Sequence, residues 1–327
     1  MNILVTGGAG FIGSHLIRRI VDEPEVDCVV NLDALTYAGN LQNLEGIHDR
    51  HPRYAFEHAD LRDAERVHQI VAAHDITHVL HLAAESHVDR SIQSSAIFMQ
   101  TNVLGTLHLL DACRAYWRLG GDNRFIQVST DEVYGSLNPD DPPFTEETPL
   151  LPNSPYSASK AAADCLVRSY VKTYDFPAII ARCCNNFGPG QHAEKLIPTV
   201  LRCLKTRQPI PVYGDGRQIR EWIHVSDHVD MLWRALLGGK LGEVYNLGSG
   251  VELSNLQLIE HLCDLWDQQT GLEVRSSRQL VTHVQDRPGH DRRYSIDASK
   301  FEQAMGSPQG SCDPDDGLAA LVASFLR

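Results

Sequence analysis

The sequence predicts an α/β fold, in which helices cover both faces of a doubly wound parallel sheet and a smaller α/β lobe follows. Short apolar runs alternate with helix-like segments through the first half of the chain, and proline and glycine become denser near residue 188. Such alternation is typical of parallel sheets, because a crossover helix joins successive strands. We expect residues 1–184 to form the core domain. Residues 185–327 should form mainly the smaller lobe, with some strands and helices returning to the sheet.

The elements of the first half follow from hydrophobic periodicity. Strands are predicted at residues 3–6, 29–33, 54–58, 78–82, 124–129 and 178–183. Helices are predicted at residues 14–22, 64–74, 101–116 and 156–174. The segment Arg182-Cys183-Cys184 is expected to pack in apolar surroundings.

Composition excludes several classes of partner. The net charge of -13 would repel nucleic acid and anionic lipid, so neither is an expected partner. No segment has the length and apolarity of a membrane span, and no basic stretch precedes the first apolar run, so we expect a cytoplasmic protein. The eight cysteines contain no CxxC pair. We expect buried free thiols and no metal site.

A glycine-rich motif follows the first predicted strand. Gly8, Gly10 and Gly13 match the pattern GxGxxG, which here lies between a strand and a helix, and Gly7 adds a further glycine. In that context the glycines allow a tight turn that brings backbone N–H groups to a pyrophosphate. Asp33 ends the next strand about 20 residues later, where a carboxylate binds ribose hydroxyls and repels the extra phosphate of NADP. The motif therefore predicts a Rossmann-type site for NAD.

Tyr156 and Lys160 lie one helical turn apart, on the same face of a predicted helix. An ammonium group close to a phenol lowers the pKa of that phenol, so this pair could remove a proton from an alcohol while hydride leaves the same carbon. The alternative is an amphipathic helix with an incidental tyrosine and lysine. The neighbouring NAD motif favours the catalytic interpretation.

Two adjacent carboxylates, Asp131 and Glu132, follow the predicted strand at 124–129. Polar groups at the carboxyl end of a parallel strand face the ligand crevice. In a continued strand the two side chains would point to opposite faces, so they can serve one substrate only if the chain turns at this point. The alternative is a solvated turn with two surface charges.

Together these motifs resemble the extended short-chain dehydrogenase/reductase family and, within it, the dTDP-glucose 4,6-dehydratases. The resemblance runs from Asn2 to about Lys300. It rests on the stretches at residues 6–13, 35–40, 83–90, 129–135, 156–160, 185–189, 194–198 and 286–293. The Thr-Asp-Glu triplet at 130–132 distinguishes the dehydratases from related epimerases and decarboxylases.

The resemblance implies conversion of dTDP-glucose to dTDP-4-keto-6-deoxyglucose. Tyr156, helped by Lys160 and Thr130, would take the C4 hydroxyl proton while NAD⁺ takes the C4 hydride. Glu132 would remove the C5 proton, and Asp131 would protonate the departing C6 hydroxyl. Hydride would then return to C6, so NAD would be bound tightly and regenerated in each turnover.

The resemblance also implies the binding residues. The cofactor would contact Gly7, Gly10, Phe11, Ile12, Gly13, Asp33, Thr36, Asp60, Leu61, Leu82, Ala83, Ala84, Thr101, Tyr156, Lys160 and Asn186. The nucleotide-diphosphate sugar would contact Ser86, Thr130, Asn185, Lys195, Leu196, Pro211, Tyr213, Arg220, Asn255, Arg287 and His290. Arg220 and Arg287 also suit a diphosphate on chemical grounds, because a guanidinium binds oxyanions in a bidentate manner.

Two other functions compete with the dehydratase. A UDP-sugar 4-epimerase or decarboxylase would share the NAD site but would not need the Asp131–Glu132 pair. A non-enzymatic NAD-binding sensor would need neither that pair nor Tyr156 and Lys160. By resemblance we also expect a homodimer, with the helices at 101–116 and 156–174 as candidates for its interface.

Overall fold

The computed structural model describes residues 1–117, 121–307 and 311–326. Its main sheet has seven strands, all parallel, in the order β10-β6-β5-β4-β1-β2-β3. The strands of the chain are β1 Asn2–Thr6, β2 Cys28–Asp33, β3 Tyr54–His58, β4 His78–His81, β5 Arg124–Thr130, β6 Ala178–Cys183, β7 Asn185–Phe187, β8 Ile210–Tyr213, β9 Ile219–His224, β10 Val244–Leu247, β11 Glu252–Ser254 and β12 Val281–Val284.

Helices cover both faces of this sheet. The α-helices are α1 Phe11–Ile20, α2 Ala64–Ala73, α3 Val88–Gln93, α4 Ser95–Phe98, α5 Gly105–Tyr116, α6 Pro155–Tyr174, α7 Leu196–Thr206, α8 Val225–Gly238, α9 Asn255–Thr270, α10 Ser299–Met305 and α11 Pro314–Leu326. Helix α1 packs against α8, whereas α2, α5 and α6 pack side by side. The predicted doubly wound fold is confirmed.

Strand β1 shows why the sheet needs helices on both sides. Ile3 and Val5 face a core that includes Leu16 of α1, whereas Leu4 faces a separate core that includes Val67 of α2. Because successive side chains of a strand point to opposite faces, a continuous apolar run can be buried only between two helical layers. The order of strands reverses between β1 and β4, and this reversal opens a crevice at their carboxyl ends.

The predicted strands are all present, within a residue at each end, whereas two helices begin differently. Helix α1 starts at Phe11 rather than at 14, because Gly10 already serves as its N-cap. The first four residues of the helix predicted over 101–116 belong instead to a π-helical stretch, Met99–Leu104, which precedes α5. This irregular stretch contributes Thr101 to the crevice described below.

The second half of the chain builds two small sheets, β11-β9-β7 and β12-β8. Helices α7, α9 and α11 pack with them around an apolar core of their own, which includes Ile197, Leu262 and Leu318. Strand β10 instead returns to the edge of the main sheet beside β6. The second half of the chain thereby contributes one strand to the main sheet.

The prediction for residues 182–184 is wrong in one respect. Cys183 and Cys184 are buried thiols, but Arg182 is held in a buried ion pair, with its Nε 2.9 Å from Oδ2 of Asp164. Arg182 also donates to the hydroxyl of Tyr134 at 2.9 Å. A buried guanidinium needs such partners, because burial of an uncompensated charge is strongly unfavourable.

The expectation of buried free thiols is met for five of the eight cysteines. All eight cysteines lie in the described residues and are free thiols, although Cys165 is exposed and Cys28 and Cys312 are only partly covered. Within residues 1–117, 121–307 and 311–326, no helix has the length and apolarity needed to cross a membrane.

We expect Arg182→Leu to lower the free energy of unfolding by about 3 kcal/mol, because it leaves Asp164 buried without its partner. Lys240→Gln is the control, since it breaks an exposed pair with Glu243 and should change stability by less than about 1 kcal/mol. Urea denaturation measures both. If both variants lowered the free energy of unfolding equally, the buried Arg182–Asp164 pair would not stabilise the fold more than an exposed pair.

Candidate active site

A tight glycine turn joins β1 to α1. Gly7 has a φ of +71°, and a Cβ atom there would lie 2.8 Å from backbone atoms of Ala83. A Cβ atom on Gly13 would lie 2.2 Å from the carbonyl oxygen of Gly7. Gly10 is the N-cap of α1, and its lack of a side chain leaves the helix start uncapped among the described residues. The first N–H groups of α1 can therefore bind an anion such as a pyrophosphate.

Asp33 lies at the carboxyl end of β2, beside this turn. Its Oδ2 accepts a hydrogen bond from the backbone N–H of Ala9 at 2.9 Å, and its Oδ1 accepts one from that of Leu35 at 2.8 Å. Burial raises the pKa of Asp33, and these two hydrogen bonds oppose that rise. Each carboxylate oxygen retains a lone pair for a further donor, which is what recognition of a ribose requires.

One cavity of about 610 Å³ lies along the crevice and includes both the glycine turn and the carboxyl end of β5. Every residue predicted to contact the cofactor lines it: Gly7, Gly10, Phe11, Ile12, Gly13, Asp33, Thr36, Asp60, Leu61, Leu82, Ala83, Ala84, Thr101, Tyr156, Lys160 and Asn186. The same cavity is lined by Ser86, Thr130, Asp131, Glu132, Asn185 and Lys195. The cofactor-binding turn and the candidate catalytic residues thus share one space.

Tyr156 and Lys160 enter this cavity from the first turns of α6. The helix begins with a capping box formed by Ser154 and Ser157, with proline at the first helical position. This start fixes where the first turn lies, and Tyr156 and Lys160 are both buried there. Lys160 donates from Nζ to the carbonyl oxygen of Val128 at 2.7 Å.

The prediction of a lowered pKa for Tyr156 is wrong. Burial, together with the charges of Glu132 and Asp131, raises the pKa of Tyr156 well above its ordinary value. A hydrogen bond with Thr130 opposes this rise. Burial also lowers the pKa of Lys160.

Strand β5 ends in a single turn of 3₁₀-helix, Asp131–Tyr134, which brings the two carboxylates together. The hydroxyl of Thr130 caps this turn by accepting from the backbone N–H of Glu132 at 3.2 Å, and it contacts Oδ1 of Asp131 at 3.2 Å. The chain therefore turns at this point, which is the condition under which both carboxylates can serve one substrate. Asp131 is buried, and its Oδ2 has no hydrogen-bond partner in the described residues.

The pKa values of Asp131 and Glu132 respond differently to their surroundings. Burial and the charges of Glu132 and Glu221 raise the pKa of Asp131 well above its ordinary value. Burial raises the pKa of Glu132 too, but the charges of Arg220 and Arg287 oppose that rise. Arg220 opposes the rise for Asp131 as well, but three cations act on Glu132, which favours its charged form.

A group of cations faces Glu132 from the second lobe. Lys195 donates to the carbonyl oxygen of Ser86 at 3.2 Å. Arg220 donates from Nη2 to the carbonyl oxygen of Asp291 at 3.0 Å and lies 4.1 Å from the ring centroid of Tyr294. The charges of Lys195, Arg220 and Arg287 all act on Glu132. Cations gathered in this way favour binding of an anion.

Several predicted substrate residues lie on the second lobe and do not line the cavity: Leu196, Pro211, Tyr213, Arg220, Asn255, Arg287 and His290. Leu196 begins α7 and Asn255 begins α9, whereas Pro211 and Tyr213 belong to β8. The rings of Tyr213 and His290 meet edge to face, with centroids 6.5 Å apart. Their contact with substrate therefore stays a prediction.

Sequence reasoning missed several residues of the site. Tyr294 is buried, stacks on Arg220 and lies close enough to Glu132 for that charge to raise its pKa. It immediately follows the stretch 286–293 used for the resemblance, so extending that stretch by one position would have included it. Glu194 and His192 also line the cavity, next to the predicted Lys195.

Comparison with known proteins gives the family. The model of the GDP-mannose 4,6-dehydratase family matches residues 4–309. The chain is 49% identical to dTDP-glucose 4,6-dehydratase 1 of Escherichia coli, over 100% of this chain and 93% of that protein. The crystal structure of DesIV, a dTDP-glucose 4,6-dehydratase from Streptomyces venezuelae with NAD and TYD bound, superposes with a TM-score of 0.91. It is 44% identical and covers 100% of this chain and 97% of that chain.

Epimerases share the fold at lower identity. The UDP-glucose 4-epimerase of Thermus thermophilus, solved with NAD, is 28% identical with a TM-score of 0.85, and the match covers 100% of this chain and 99% of that chain. The protein therefore belongs to the nucleotide-sugar 4,6-dehydratase family and, within it, to the dTDP-glucose 4,6-dehydratases.

Proposed function

We propose that this protein converts dTDP-glucose to dTDP-4-keto-6-deoxyglucose by oxidation at C4, elimination of water across C5 and C6, and return of hydride to C6. The observation that carries the proposal is the turn after β5, which places Asp131 and Glu132 together in the cavity that also contains Tyr156. Oxidation at C4 alone requires one base. The additional acid and base are what elimination at the neighbouring carbons requires.

The residues of the glycine turn fit NAD. A side chain at Gly7 or Gly13 would collide with backbone atoms, so the turn keeps the close approach that a pyrophosphate needs. Asp33 suits the adenosine ribose, and Tyr156 and Lys160 line the same cavity. When bound, NAD supplies the hydride acceptor at C4 and the donor at C6, and its oxidised ring adds positive charge to the site.

Tyr156 takes the proton of the C4 hydroxyl in this proposal. Because burial and two carboxylates raise its pKa in the protein alone, it needs the charge of Lys160 and of the oxidised cofactor to act as a base. Thr130 supports the same step through its hydrogen bond to Tyr156. The C4 ketone then acidifies the C5 proton, which Glu132 removes.

Asp131 protonates the C6 hydroxyl as it leaves. Its burial and the neighbouring charge of Glu132 favour the protonated carboxyl, and its Oδ2 lacks a hydrogen-bond partner in the described chain. A buried carboxyl with a free oxygen is suited to donate a proton to a substrate. The proton that Glu132 takes from C5 can later return to C5 when hydride reaches C6.

The cations of the second lobe hold the substrate in this proposal. Lys195, Arg220 and Arg287 bind the diphosphate, because guanidinium and ammonium groups neutralise its charge. Tyr213 packs against the base, and its exposed ring beside His290 is available for this contact. The remaining predicted substrate contacts are Ser86, Thr130, Asn185, Leu196, Pro211, Asn255 and His290.

We further propose a homodimer that acts in the cytoplasm. Met99 and Leu104 are exposed apolar side chains beside α5, and the outer surface of α6 is also exposed. A second copy would cover these side chains, and light scattering of the purified protein tests this assembly. The free thiols suit a reducing compartment.

Mass spectrometry tests the proposed reaction. Pure protein incubated with dTDP-glucose, without added NAD, should yield a product that has lost one molecule of water. A product of unchanged mass would overturn the dehydratase and favour a 4-epimerase. Absence of turnover on nucleotide sugars, with NAD still bound, would favour a sensor.

Glu132→Gln should still permit slow oxidation at C4 but should abolish exchange of the C5 proton with solvent. Loss of a general base lowers a rate by on the order of 10²–10⁴. NADH absorbance reports the oxidation, and deuterium incorporation from D₂O reports the exchange. Glu147→Gln makes the same chemical change at an exposed position and should behave as the unaltered protein. Rapid C5 exchange in Glu132→Gln would remove Glu132 from its proposed role.

Purified protein should retain NAD, because the cofactor ends each turnover in its starting state. Gly13→Ala should lose this NAD, since the new Cβ would lie 2.2 Å from the carbonyl oxygen of Gly7. Gly238→Ala is the matched control, as no atom lies within 4 Å of its Cβ position. Nucleotide released by heat is measured by chromatography, and circular dichroism verifies folding. A folded Gly13→Ala protein that retains full NAD would contradict the proposed role of the turn.

A further inference from the structure

Asp89 and Arg287 form an ion pair between the two lobes. Asp89 lies in the first turn of α3, and Arg287 lies in the segment that follows β12. Their Oδ1 and Nη1 atoms are 3.2 Å apart. The side chain of Asp89 is 32% exposed and that of Arg287 is 26% exposed, so solvent reaches both. The Nε of Arg287 is buried and has no partner in the described residues.

This pair adjoins the cations of the second lobe. The charge of Arg287 contributes to lowering the pKa of both Lys195 and Arg220, although burial is the larger cause for each. The charge of Asp89 acts on Lys195 in the opposite direction. Asp89 thus offsets part of the positive charge at the position proposed to bind the diphosphate.

We propose that Asp89 is a displaceable counter-ion, which occupies Arg287 until the diphosphate of a nucleotide sugar replaces it. This inference rests on the proposed function, because Arg287 is there assigned to the diphosphate. Asp89 acts through Arg287 and does not itself contact the reacting atoms. It is therefore a positioning residue that weakens binding of any nucleoside diphosphate at this site.

The physical basis is a competition between two anions. The pair is partly exposed and uses one hydrogen bond, so it is weak. A diphosphate can accept several hydrogen bonds from Arg287, including one from the Nε–H, which has no partner in the described residues. After displacement, the carboxylate of Asp89 remains close to the diphosphate and repels it. Substrate and product carry the same diphosphate, so this repulsion affects both alike and also promotes product release.

Binding of dTDP to the NAD-loaded enzyme tests the inference. We expect Asp89→Asn to lower the Kd for dTDP by about two- to fivefold, the range expected for one partly exposed ion pair. The difference should shrink at high ionic strength, which a purely structural role of Asp89 would not explain. Asp89→Glu keeps the charge and should resemble the unaltered enzyme.

Asp215→Asn is the matched control, because it removes an exposed partner of Arg292 in the same lobe and should leave the Kd unchanged. NAD content and circular dichroism verify that each variant is folded and loaded. An unchanged or increased Kd in Asp89→Asn, while the unaltered enzyme binds dTDP, would overturn this inference and leave the proposed function intact. Failure of the unaltered enzyme to bind dTDP would overturn both.

Discussion

The rest of the site depends on the burial of two adjacent carboxylates at the end of β5. Asp131 and Glu132 repel each other, and burial makes their charged forms less favourable still. The cations that offset this charge, Lys195, Arg220 and Arg287, all come from the second lobe. Close contact of the second lobe with the end of β5 therefore favours the charged form of Glu132.

The turn that carries these carboxylates is fixed by a buried polar network beneath it. Tyr134 ends the 3₁₀ turn, and its hydroxyl donates to Oδ1 of Asn246 in β10 at 2.7 Å. The same hydroxyl accepts from Arg182, which is paired with Asp164 of α6. Because α6 also carries Tyr156 and Lys160, this network connects the turn and the catalytic helix. A buried network of hydrogen bonds and an ion pair favours one arrangement of the groups that it joins.

The sequence was sufficient for features that depend on local pattern. The strands, the glycine turn and Asp33 follow from neighbouring residues, because hydrophobic periodicity and turn chemistry are local. The ion pair of Arg182 and the stacking of Tyr294 on Arg220 join residues distant in sequence, and periodicity carries no information about such partners. The raised pKa of Tyr156 was mispredicted for the same reason: the pattern showed Lys160 nearby, whereas the surrounding burial and carboxylate charges depend on tertiary packing.

The distribution of charge explains how an acidic protein can bind an anionic substrate. The chain has a net charge of -13, but the second lobe directs several cations toward the crevice. Among the described residues, the carboxylates of Glu132, Glu194 and Asp89 act on Lys195, and those of Glu132 and Asp131 act on Arg220. Glu132 must stay to act as a base, and it is more enclosed than Asp89. Asp89 is partly exposed and can move away, so it is the carboxylate that an entering diphosphate can replace without disturbing the catalytic residues.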